Sequence, residues 1–152
     1  MSAVALKGEE REVALAEVDA VRAAVQDAGY RERLEALRAS IEDEGTVDPD
    51  DVAELERLVT IALQSGRIRA LYGPGGEQAL LRLYRKLPGG VELSQSAAAV
   101  GEALSGLQGR ALESVSLTAV GPGAFSLTVA AGGVQLKVHL DRQGARLASV
   151  EA

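Results

Sequence analysis

His139 is the one imidazole in a chain of 152 residues. Lys137 stands two residues before it and Asp141 two residues after. A histidine beside a carboxylate can act as a general base, because its free pKa lies near neutrality and the carboxylate stabilises the charged ring. Asp141, however, opens the run Asp141-Arg142-Gln143-Gly144, where turn formation accounts for it equally well. No serine stands in a nucleophile-elbow setting. The expectation is an exposed strand residue facing water without a partner. No catalytic residue is assigned, and the chain is expected not to be an enzyme.

Residues 40–51 read Ser-Ile-Glu-Asp-Glu-Gly-Thr-Val-Asp-Pro-Asp-Asp. The stretch resembles a calcium-binding EF-hand loop, with Gly45 at the sixth position, Val47 at the eighth and Asp51 at the twelfth. Such a loop needs short oxygen ligands at positions one, three and five and a bidentate Glu at twelve. Ser40, Glu42, Glu44 and Asp51 stand there instead. A helix end, a glycine turn and a capped helix start explain the same residues, and no metal is expected.

Gly73-Pro74-Gly75-Gly76 precedes helical sequence and invites a phosphate-loop reading. It lacks the Gly-Lys-Ser/Thr ending, and Glu77 would repel an anion. Arg67, Arg69, Arg82, Arg85 and Lys86 form a basic cluster nearby. The expectation for it is a solvated or intramolecular charge face, and no cofactor is assigned.

Behind these groups stand elements of two kinds. Ala14, Val18, Val21, Val25 and Ala28 recur at spacings of four and three, an apolar seam on a helix over 9–28. A second set, Tyr30, Leu34, Leu37 and Ile41, starts out of register, which places a break at Ala28-Gly29-Tyr30. Asp48-Pro49-Asp50-Asp51 is a helix start, with Asp48 as N-cap and Pro49 at the first position. That helix ends near Ser65-Gly66, and 67–72 is ambiguous. Residues 73–76 read as a loop before a short helix, which Pro88-Gly89-Gly90 stops. A further helix is expected over about 96–107.

From residue 112 the apolar period changes from 3.6 to 2. Strands are expected over 113–120, 125–131, 134–140 and 145–151, joined by short glycine-bearing turns. Consecutive hairpins make an antiparallel meander with one apolar face, which helices must cover. The fold class is therefore α+β. The expected division is an acidic helical region over 1–90 and a helix plus four-stranded meander over 91–152. The polar face would carry Ser116, Thr118, Ser126, Thr128, Lys137 and His139.

Composition narrows the function. Residues 1–57 carry 7 basic and 16 acidic side chains, and the remaining residues carry 9 and 6. An acidic first part, with aromatics at 3% of the chain, opposes nucleic-acid binding. With no cysteine there is neither a disulfide framework nor a thiol nucleophile. No apolar run approaches the roughly 18–20 residues of a membrane span. The apolar run at residues 3–6 is too short for an export signal, so a cytoplasmic location is expected.

Residues 94–152 resemble a PepSY-type module: a helix ending near Leu107-Gln108-Gly109, three strands, then Asp141-x-x-Gly144 leading into the last. The resemblance implies protein or peptide interaction rather than catalysis. A non-enzymatic interaction or assembly module is thus expected, self-associating as a homodimer through Val18, Val21 and Val25 or binding another protein. The alternative is a small-ligand or peptide binder using Thr118, Thr128, Lys137 and His139.

Overall fold

The computed structural model describes residues 2–152. The chain is α+β and forms two compact units, Met1–Gly90 and Val91–Ala152. The elements in order are β1 (Val4–Ala5), α1 (Glu9–Ala24), α2 (Ala28–Glu44), β2 (Thr46–Val47), α3 (Pro49–Gln64), α4 (Arg67–Tyr84) and α5 (Pro88–Ser105). Four strands follow: β3 (Leu112–Gly121), β4 (Ala124–Ala131), β5 (Val134–Asp141) and β6 (Gly144–Glu151).

In the first unit, Glu9, Glu10 and Glu12 occupy the first turn of α1, where the positive helix end favours them. The break to α2 falls at 25–27, before the expected Ala28-Gly29-Tyr30. Asp27 causes the difference: its carboxylate accepts the Tyr30 N–H at 2.7 Å and caps α2, leaving Gly29 inside the helix. Gly45 closes α2 in the left-handed conformation at φ 65°, a region that favours glycine. Val47 then pairs with Val4 in a two-residue antiparallel bridge, too short to leave a periodic trace in sequence. Asp48 and Pro49 start α3 as read.

The core of this unit is aliphatic, with Leu34, Leu37, Ile41, Leu55, Leu80 and Leu83 all withdrawn from water. Val18 is completely buried in it, and Val21 and Val25 are partly buried against it. The α1 seam therefore packs inside its own chain. Complementary charge flanks that packing. Glu10 and Glu17 lie seven residues apart, two turns along one face of α1. Lys86 donates to Glu10 at 2.5 Å, Arg67 pairs with Glu17, and Arg82 reaches Glu9 at 3.3 Å. Three members of the basic cluster are thus spent on the acidic helix.

Two glycine-rich stretches differ from expectation. Gly73–Gly76 is not a four-residue loop. Within α4 two helical stretches meet at a kink at Gly73, at φ 69° and ψ −172°, so the expected break is present but narrowed to one residue. Pro74 fits the restart because a first-turn proline needs no N–H partner. Likewise Pro88-Gly89-Gly90 does not end a helix but begins α5. A Cβ at Gly90 would run into the backbone carbonyl of Tyr84, so the glycine serves a close approach.

The second unit holds α5 and an antiparallel sheet of order β3-β4-β5-β6. Each strand lies within two residues of its expected bounds. In the regular stretch Val115 faces Val129 and Leu117 faces Leu127; those residues in turn face Leu136 and Val138. This column of branched side chains makes one apolar face. Val100 of α5 is buried, Ser96 donates its hydroxyl to the Ala145 carbonyl, and Leu93 lies against Gly144, so α5 lies over the β5–β6 part.

Candidate interaction surface

The two faces of the sheet are set by register. On the polar face Ser116, Thr128, Lys137 and Ser149 form one row across the four strands, and Thr118, Ser126, His139 and Arg146 form the next. A register shift in β6 brings Arg146 opposite His139. The two come together on Asp141: its carboxylate lies 3.3 Å from His139 Nε2 and 2.5 Å from Arg146. The expectation of an imidazole without a partner is thereby corrected, because the turn that follows β5 folds Asp141 back beside it.

That carboxylate is already committed. The Gln143 N–H donates to it at 2.8 Å, and this bond, followed by the Arg146 and His139 charges, holds it below the usual carboxylate range. Asp141 therefore closes the turn, pairs with Arg146 and contacts His139 at once. His139 retains 36% side-chain exposure. Chemically the face offers hydroxyls, Lys137 and Arg146 to a polar partner. Thr118 and Lys137 are exposed, whereas Thr128 is half-buried.

The calcium-like loop is occupied by other interactions. Arg38 pairs with Glu42, and Arg11 donates to the Glu42 carbonyl, bringing guanidinium charge to the place a cation would need. Among the described residues no group of three or more His, Asp or Glu side chains is placed to hold a metal ion. No helix of the described residues is long and apolar enough to cross a membrane.

The apolar face is only partly covered. Leu136 and Val138, on β5, are 2% and 1% exposed. Toward β3 the same face opens: Val115 is 54% exposed, Leu117 62% and Phe125 of β4 41%. Every residue of β3 is exposed, and β3 is an edge strand. Its outward N–H and C=O groups are an unused pairing template. Alternation in the sequence identified Val115 and Leu117 as one face, but alternation carries no signal for whether a helix reaches over them.

The two edges differ. β6 carries Arg146 and Glu151 and bulges at the Lys137/Val138 register shift. β3 carries one charged residue, Glu113, inside a register shift at its start, and a second shift lies between Ala119 and Gly121. Between them Ser114 to Ala119 is regular and uncharged. Charge and bulges are the usual protection of an edge, and the centre of β3 has neither. No family model matches this chain, and neither a curated protein nor a solved structure matches it.

Proposed function

We propose that this chain is a non-enzymatic protein–protein interaction or assembly module, and that its contact surface is the open β3 side of the C-terminal sheet. The observation that carries this reading is the exposed edge strand beside Val115, Leu117 and Phe125. An edge of this kind takes affinity from main-chain hydrogen bonds and specificity from the alternate side chains beside it. The α1 seam is the weaker candidate, since Val18 already fills the core of its own unit.

Photo-crosslinking in cells tests this reading, with a photoreactive residue placed at position 117 or, as the comparison, at position 128 on the polar face. A protein adduct from 117 and none from 128 is expected. Absence of any protein adduct from 117 rejects the reading.

A second reading, a small-ligand or peptide binder, is favoured by the two polar rows, one carrying Lys137 and the other His139 and Arg146. Lys137 suits a carboxylate or other anion, whereas His139 and Arg146 already share the Asp141 carboxylate. Adducts from 128 alone would favour it.

A further inference from the structure

We infer that β3 pairs antiparallel with β3 of a second copy of this chain, about a two-fold axis through Ser116, so that two four-stranded sheets join into one of eight strands. This rests on the reading of the β3 side as a contact surface; what it adds is the occupant.

The occupant follows first from closure. A β3 edge pairing with the β6 edge of another copy would leave a free edge at each end and grow into a filament, whereas β3 against β3 closes after two chains. The charges and bulge on β6 oppose the first arrangement; the uncharged centre of β3 admits the second. Register follows next. A two-fold axis normal to the sheet keeps apolar faces on one side only when it passes through a residue, because faces alternate with period two. An axis at Ser116 sets Val115 against the partner's Leu117 twice and Ser114 against the partner's Thr118 twice. Apolar and hydroxyl pairs of this kind favour adjacent strands. An axis at Leu117 would instead set Leu117 against its own counterpart and Val115 against Ala119, and its five paired residues, 115–119, would run up to the register shift that begins at Ala119. Both shifts in β3 register stay outside the five paired residues, 114–118.

Area sets the strength of the contact. Leu112, Val115, Leu117, Val120 and Phe125 are each 41–64% exposed. They leave roughly 400 Å² of apolar side chain open per copy, the scale of the largest patch on an ordinary monomer. Pairing over 114–118 covers the part of this strip that Val115 and Leu117 supply, together with the two strand backbones, while Leu112 and Val120 flank it and Phe125 lies on β4. A contact of that size is concentration-dependent rather than permanent. The strip is neutral, so two copies meet without like-charge repulsion.

The chain lacks cysteine, which makes the test clean. Sedimentation equilibrium of the full chain across a wide concentration range is expected to show twice the chain mass. Leu117→Lys is expected to return the mass to that of one chain with an unchanged far-UV CD spectrum; Val115→Thr serves if the lysine variant misfolds. Ser116→Cys under mild oxidation is expected to form a disulfide-linked pair, which Leu117→Lys suppresses. A chain that stays monomeric overturns the inference, as does a dimer that survives Leu117→Lys without a 116–116 link. If the monomer still gives adducts with a different protein from position 117, the interaction reading stands and only self-pairing fails. If it gives none, both fail.

Discussion

Glu17 lies in α1 with 3% exposure, and burial of a carboxylate is expensive unless its oxygens are satisfied. Arg67 answers one oxygen, while Oε1 has no hydrogen-bond partner among the described residues. Burial, and then the Glu17 charge, raise the nearby Tyr72 phenol above its ordinary value. The two members of the pair are unequal: the Arg67 side chain is 42% exposed and can return to water, whereas Glu17 cannot. Removing the arginine should therefore cost more than removing the acid. Arg67→Ala is expected to lose about 2–3 kcal/mol, below the range of wholly buried pairs because the guanidinium is half in solvent. Glu17→Met should stay within about 1 kcal/mol of the wild type, since a flexible apolar chain fills the space without an unpaired charge. Urea unfolding of both variants and of the double variant checks this. Equal losses from the two single variants would contradict it. In the sequence nothing sets Glu17 apart from the other acids of residues 9–28. Its burial depends on α4, fifty residues further along.

At the scale of elements, α2 and α3 are tied by a cluster around Tyr30. Its hydroxyl donates to Glu54 and accepts from Arg57, while the Arg33 and Arg57 guanidinium groups sit 5.4 and 5.3 Å from its ring centre. Burial alone would raise Glu54, but hydrogen bonds from Arg57 and Tyr30 outweigh it and hold the carboxyl below its ordinary value. Burial and the bond to Glu54 raise the Tyr30 phenol. The signs set two limbs. A lowered carboxyl adds stability above its unfolded value and loses it as pH falls through the folded one, below about pH 4. A raised phenol adds stability below its unfolded value and loses it as pH rises through the folded one, above about pH 10. Against wild type, Glu54→Gln should flatten the acid limb and Tyr30→Phe the alkaline limb, read from denaturant midpoints across pH. Glycines give a second contrast within α5. Gly90→Ala drives a Cβ into the Tyr84 carbonyl and should cost about 1–3 kcal/mol, the range of overpacking. Gly101→Ala meets nothing within 4 Å and should gain about 0.5–1 kcal/mol by helix propensity, in thermal melts. Here the sequence misled for a physical reason. Glycine marks a turn and a close approach alike, and only the neighbouring backbone distinguishes them. The period-two alternation after residue 112, which has one structural meaning, placed all four strands.

Across the whole molecule, burial is unequal. Of the 23 buried apolar side chains among the described residues, 19 belong to the core of Met1–Gly90, and Val100, Ala131, Leu136 and Val138 are the rest. A unit of about sixty residues is marginal even with a full core, and one with four buried side chains needs further cover. Pairing through β3 would supply it, and binding to the native state raises apparent stability with concentration. All three tyrosines, Tyr30, Tyr72 and Tyr84, lie in the helical unit, so tyrosine emission follows that unit alone. In the full chain the tyrosine-detected melting midpoint should be independent of protein concentration. Hydrogen exchange of the β3 and β5 amides should slow as concentration rises, and Leu117→Lys should abolish that dependence. β3 amides that exchange at one rate at every concentration, while β5 stays protected, would mean that the partial cover from α5 suffices and the open strip serves something other than a second copy.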